Sequence, residues 1–505
     1  MMVVSLKRNI LANYVSQIYV TLIGIVTVPL YIKYMGAEAY GLVGFFAMMQ
    51  AWFNLLDMGL TNTISRETAR LRGGVSDALS YRRLVRALEG IFLVIALFGG
   101  GILFAASAYI AQDWLQLTEL PIAEVETAIK IMAALVALRW MSGLYRGAIT
   151  GAERLVWLGG YASLMATLRF IGVLPVLMFV GATPTIFFSY QFAVAILEYA
   201  GFLFQAYRLL PVVSQGTRLP WSWTPLKPVL KFSLTIAATS SLWVLVTQTD
   251  KLVLSKLLPL SEYGYFTLAV LVASVVGIVS GPIVSAILPR MAKLEAEGDH
   301  VGLIRLYRYS TQVVAVMAGA LASTISFFAE PLLWAWTGDI NLAHQAAPIL
   351  ILYAIGNGFL AVWAFQYYLQ FAKGDLRLHF IGQCGYVVLI VPSIIWAANQ
   401  YGGVGSGYVW LAINILFFVA WIPLVHRRFV PGLNKVWFRR DVLPIFITTA
   451  MAAYFLFLIM PQTDSRWWQF SMVIIVIILV MLAGMLASSF FLSRAKLLLT
   501  QEQLK

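Results

Sequence analysis

About fourteen stretches of this chain are apolar over a length that crosses a bilayer, from roughly residues 10–32 at one end to 468–492 at the other. Each spanning helix needs roughly 20 apolar residues, because the hydrocarbon core is about 30 Å thick and a helix rises about 1.5 Å per residue. A water-soluble core has no use for so many runs of that length. The composition agrees, with 61% hydrophobic and 11% charged residues against about 25% charged in soluble domains. The expected fold class is an all-α polytopic membrane protein.

The net charge of +13 follows the same logic. Arg66, Arg70, Arg72, Arg82, Arg83 and Arg86 share one connector, and Arg427, Arg428, Lys435, Arg439 and Arg440 share another. Few stand at the opposite ends, among them Lys33, Lys251, Lys256 and Arg466. By the positive-inside rule both termini are cytoplasmic. The charge therefore needs no nucleic acid to explain it. Cys384 is the sole cysteine, which excludes an intramolecular disulfide and a cysteine metal cluster. His300, His344, His379 and His426 are scattered without metal-ligand or nucleophile spacing. Gly402-Gly403-Val404-Gly405-Ser406-Gly407 lacks the Gly-Lys-Ser/Thr of a phosphate cradle and reads as a tight turn. No cofactor and no metal are expected.

The chain repeats itself. Lys33 precedes Tyr40-Gly41 as Lys256 precedes Tyr263-Gly264, and Ala69-Arg70-Leu71 returns as Ala292-Lys293-Leu294 at the same offset of 223. Arg208-Leu209-Leu210-Pro211 ends the first copy as Arg428-Phe429-Val430-Pro431 ends the second. The repeat predicts an amino-terminal lobe over 1–211, a linker over 212–230, a second lobe over 231–431, and an appended helix pair with a cytoplasmic tail over 432–505. Six helices per lobe is an even number, so the copies are parallel and related by an axis along the membrane normal. Two such lobes enclosing a cavity suit alternating access.

Polar residues inside apolar runs mark candidate sites, since an unsatisfied polar group in lipid costs several kcal/mol. Gln50, Asn54, Asp57 and Thr61 form one stripe on an expected helix over about 39–61. Arg66 follows it directly. Arg139 and Arg169 sit deep in their runs with Glu198 nearby in sequence order. They either neutralise one another as a structural network or line an aqueous cavity, where guanidinium geometry suits an anion. Trp243 and Asp250 share a face, although Asp250 beside Lys251 also reads as an ion pair. Asn357 stands in a polar and aromatic run. Substrate-contact candidates are thus Arg139, Arg169, Arg66, Gln50, Asn54, Trp243 and Asn357, and titratable candidates for ion coupling are Asp57, Asp250 and Glu198.

The run from Pro29 to Leu71, with Tyr40-Gly41, Leu55-Leu56-Asp57-Met58-Gly59-Leu60 and Arg66-Glu67 before Ala69-Arg70, resembles the opening of Wzx-type polysaccharide flippases of the multidrug/oligosaccharidyl-lipid/polysaccharide exporter superfamily. Asp250-Lys251 through Tyr263-Gly264 is similar to that family's second half. The resemblance implies a non-enzymatic flippase of the bacterial cytoplasmic membrane that moves an undecaprenyl-diphosphate-linked oligosaccharide for O-antigen, capsule or exopolysaccharide assembly. Proton or sodium antiport and contact with membrane lipids and polysaccharide polymerase machinery come with it. A multidrug exporter of the same superfamily and a lipid II flippase remain alternatives. So does a membrane polysaccharide polymerase or ligase, which would carry a large outer catalytic loop that this sequence lacks.

Overall fold

A computed structural model describes residues 6–211, 227–278, 280–461 and 463–491. Most of the expected linker, 212–226, and the tail beyond 491 lie outside the described residues. Every element among the described residues is helical. The chain divides into two compact units, Met1–Gly264 and Tyr265–Lys505.

Among the described residues, twelve helices meet the length and apolarity of a membrane pass. One of them, Arg377–Phe429, runs 53 residues, which at roughly 1.5 Å per residue is more than two bilayer crossings. It breaks at Gly402 (φ 58°, ψ −141°), a backbone open only to glycine. Lys227–Leu257 adds a further helix of 31 residues. The fourteen expected passes are reached in this way.

The first unit contains α1 (Leu6–Met35), α2 (Ala37–Phe53), α3 (Leu60–Arg72), α4 (Ala78–Ala105), α5 (Ile122–Gly151), α6 (Leu155–Phe170), α7 (Val173–Phe179), α8 (Pro184–Leu209) and α9 (Lys227–Leu257), and ends at the start of α10 (Leu260–Ile278). The polar stripe over Gln50 to Thr61 does not ride on one continuous helix. Instead α2 stops at Phe53, a 3-10 turn takes Asn54–Asp57, and Met58 and Gly59 turn left-handed at φ 45° and 71°. That conformation costs a methionine roughly 1–2 kcal/mol. Asp57 offsets it by accepting the Thr61 hydroxyl at 2.6 Å and the Thr61 amide at 3.2 Å. Beyond the break α3 is amphipathic, with Arg70 and Arg72 in its last turn, where the helix dipole favours cations.

The repeated Tyr-Gly pairs meet at the other end of α2. A Cβ on Gly41 would stand 2.1 Å from the Leu260 carbonyl oxygen, and one on Gly264 would stand 2.7 Å from that of Ala37. The two backbones cross where neither has a side chain. The loop before α5 braces this crossing. Glu38 accepts the backbone amides of Thr118, Glu119 and Leu120 at 2.6, 2.8 and 3.0 Å, and the Gln116 carbonyl accepts the Leu260 amide at 2.9 Å.

The second unit holds the rest of α10, then α11 (Ser280–Ala296), α12 (His300–Phe327), α13 (Ala329–Thr337), α14 (Ile340–Trp363), α15 (Phe365–Ala372), α16 (Arg377–Leu416), α17 (Ile422–Phe429), α18 (Leu443–Ile459) and α19 (Arg466–Ala487). Its centre is α12, whose most apolar stretch is 72% buried. The final helix pair packs on it through Ala320, Ala453, Val473, Val476 and Val480. One polar joint fixes the register. Arg308 Nε and Nη2 donate to the two Asp441 oxygens at 2.6 and 2.9 Å, and Gln312 Nε2 donates to Asp441 Oδ1 at 2.7 Å. Gln312 Oε1 in turn accepts the Ser488 hydroxyl at 2.6 Å and the Phe490 amide at 3.0 Å.

Candidate functional site

Within the first unit, α5, α6 and α8 bring three of the charged candidates into one chain of contacts. Arg139 lies at mid-length of α5, Arg169 in the last turn of α6, and Glu198 on α8. Arg139 Nη2 donates to Gln191 Oε1 at 3.0 Å. Gln191 Nε2 donates to the Arg169 carbonyl at 3.0 Å. Arg169 Nη2 donates to Glu198 Oε2 at 2.6 Å, with the two side chains 20% and 10% exposed. Gln191 and Glu198 are seven residues apart, two helical turns, so one face of α8 presents both.

The end of α6 supplies the scaffold. A helix leaves its last carbonyls without intrahelical partners, and here side chains take them. Tyr190 donates to the Leu168 carbonyl at 2.9 Å, Gln191 to that of Arg169, and Tyr31 to that of Phe170 at 2.8 Å. The negative pole of the same helix end lies beside the Arg169 side chain and favours its charge.

Two guanidiniums here face one carboxylate. Arg169 spends its charge on Glu198, whereas Arg139 has no carboxylate within ion-pairing distance among the described residues. Its hydrogen-bond partner is a neutral amide, and its guanidinium lies 5.2 Å from the Phe46 ring centroid. The Nε atoms of both arginines are buried without a partner. Such a donor costs about 1–3 kcal/mol to leave unmet. The cluster is therefore a cationic node with donors to spare, a match for an anion.

The other candidates lie elsewhere. Arg66 donates to Glu67 at 2.8 Å on the surface of α3, and Glu67 also holds Arg70 at 3.3 Å. Gln50 is half-buried and Asn54 exposed. Asp250, 1% exposed, accepts from its neighbour Lys251 at 3.1 Å, while Trp243 on the same helix is 44% exposed. Asn357 is closed into the second unit, donating to the Ala273 carbonyl at 2.8 Å and accepting the Trp410 indole N–H at 3.0 Å. Asp57 bonds only to uncharged groups and has no cation within ion-pairing distance among the described residues. Sequence reasoning passed over Gln191, Tyr31 and Tyr190. The seven-residue spacing of Gln191 and Glu198 was the signal for the first.

The sequence model of a family described as "Polysaccharide biosynthesis protein" matches residues 6–295. Among solved structures, the chain is similar to lipid II flippase MurJ in an inward closed conformation, at 15% identity over 94% of this chain and 97% of that one, with a TM-score of 0.74. It is similar to an inward-facing multidrug resistance MATE family transporter of the MOP superfamily, at 15% identity over 80% and 94%, TM-score 0.67. It is also similar to a MOP superfamily transporter from Pyrococcus furiosus, at 13% identity over 84% and 95%, TM-score 0.54. No curated protein sequence matches the chain. At these identities the structural likeness establishes the fold alone, which this chain shares with those three proteins.

Proposed function

The chain belongs to the polysaccharide biosynthesis protein family, and from that premise we propose that it is a flippase for an undecaprenyl-diphosphate-linked oligosaccharide. It carries this lipid from the inner to the outer leaflet of the bacterial cytoplasmic membrane for O-antigen, capsule or exopolysaccharide assembly. Lobes over 1–211 and 231–431, joined by 212–230 and followed by the appended pair in 432–505, expose the bound glycan to one side at a time. The bias of arginine and lysine supports cytoplasmic termini. A polysaccharide polymerase is the partner that takes the product.

The observation that carries this reading is Arg139, a half-buried guanidinium deep in an apolar helix whose Nε is buried without a partner and which has no carboxylate within ion-pairing distance among the described residues. A diphosphate offers the charge and the acceptors that this group lacks. A cationic drug would be repelled by the same node, which weighs against multidrug export. Of the three coupling candidates, Glu198 is held by Arg169 and Asp250 by Lys251. Asp57 is left as the carboxylate with no cation within ion-pairing distance among the described residues, and we assign proton or sodium coupling to it.

Complementation of a flippase-null strain tests both assignments. Arg139→Ala is expected to abolish surface glycan while the protein remains in the membrane at the parental level. Normal surface glycan in that variant would remove Arg139 from the site. Asp57→Asn is expected to make flipping in vesicles insensitive to an imposed ion gradient, and retained gradient dependence would move the coupling role elsewhere.

A further inference from the structure

We propose that the arginine-rich end of the second unit holds one anionic phospholipid, with its phosphate on Arg290 and Arg305 and its acyl chain along Ile283, Ile287, Val313 and Phe490. This site goes beyond the transport reading and does not depend on it. Those residues line a single cavity of about 480 Å³ between α11, α12 and the segment after α19. That volume falls in the range of about 300–1,000 Å³ typical of small-molecule sites.

The two arginines differ from the cations around them. Lys293 pairs with Glu297 at 3.5 Å, Arg308 with Asp441 at 2.6 Å, and Lys373 with Glu295 at 2.8 Å. Arg290 and Arg305 are exposed and form no ion pair among the described residues. The one acid on the cavity wall, Asp299, spends Oδ1 on the Gly302 amide at 2.8 Å as the cap of α12. One part of the cavity therefore carries excess positive charge from two planar donor forks, one on each helix, the geometry that grips a phosphate. Further along the same two helices the lining is mostly hydrocarbon, with the ring of Phe490 4.8 Å from that of Tyr309. Basic pockets between membrane helices bind anionic headgroups for this reason. Charge and hydrocarbon in one cavity suit a ligand that carries both an anionic head and an apolar tail.

A phosphate on a hydrocarbon tail could also come from the transported lipid itself, so the experiment separates the two sources. The full-length protein is reconstituted in nanodiscs of phosphatidylcholine doped with phosphatidylglycerol, and lipids retained per chain are counted by native mass spectrometry. One phosphatidylglycerol is expected to survive activation that strips phosphatidylcholine. Its retention should fall at least tenfold in Arg290→Gln/Arg305→Gln. It should also fall in Val313→Trp, which fills the apolar half and leaves both arginines in place. Lys293→Gln removes a charge from the same helix without touching the cavity and should leave retention unchanged. Equal loss in Lys293→Gln would reveal a diffuse surface attraction and overturn the site. So would retention in the double variant, or phosphatidylcholine held as firmly as phosphatidylglycerol. If added undecaprenyl diphosphate alone is retained at the same arginines, the cavity belongs to the transported lipid and the phospholipid assignment falls. Thermal midpoints of each variant confirm that the counted chains are folded.

Discussion

Two half-buried arginine clusters in this protein differ in how fully their hydrogen bonds are met. In the second unit, Arg308 makes a two-pronged pair with Asp441, Gln312 adds a third donor, and Gln312 is itself met by Ser488 and Phe490. In the first unit, Arg139 meets only an amide, Arg169 meets one oxygen of Glu198, and both Nε atoms go unmet. The first arrangement is complete and fastens the final helix pair to α12. The second is incomplete, and that difference is what supports proposing a binding site there instead of a structural joint made of the same residue types.

The largest expected effect is at the complete cluster. Asp441→Ala leaves Arg308 without its counter-charge in a buried joint and should cost about 3–5 kcal/mol, seen as loss of monodisperse protein in a detergent thermostability assay. Survival of Asp441→Ala would mean the joint is not what fastens the last two helices. Next comes Glu198→Gln, which keeps an acceptor for Arg169 but removes the charge and should cost about 1–3 kcal/mol. Arg139→Ala should change stability by no more than about 1 kcal/mol, since it deletes a bond to a neutral amide, even as glycan export disappears. A stability loss at Arg139 equal to that at Asp441 would erase the distinction between the clusters. The smallest effect concerns Glu295, beyond the membrane spans. Burial raises its pKa, but Lys373 at 2.8 Å, with His300 behind it, outweighs burial and holds the carboxyl below its ordinary value of 4.5. A depressed carboxylate stabilises the fold above its unfolded pKa, and that contribution fades as pH falls through the folded value. Thermal midpoints of the parent and Lys373→Gln should therefore differ at neutral pH and converge below 4.5.

Much of this was legible before any coordinates. Arg139, Arg169 and Glu198 stand out because a charge in a run of apolar residues has no cheap explanation. The structure brings them together. Gln191, which links them, was hidden because uncharged polar residues in membrane helices usually bond within the bundle. The break at Asn54–Gly59 was masked by a polar stripe whose spacing continues through it, and only Gly59 hinted at the left-handed turn. Asp441 was equally hard to see. Flanked by Arg439 and Arg440, it reads as part of a solvated basic connector, yet the fold buries it completely. The polar and aromatic run around Asn357 proved to bond inward, because Trp410 and the Ala273 carbonyl use both ends of that amide.

The meeting of Gly41 and Gly264 makes two distant positions answerable to each other. Each glycine keeps vacant the space that the opposite backbone occupies, with a Cβ on Gly41 reaching the Leu260 carbonyl and one on Gly264 that of Ala37. A single methyl group at either place would wedge the two helix starts apart, so the crossing tolerates no side chain from either helix.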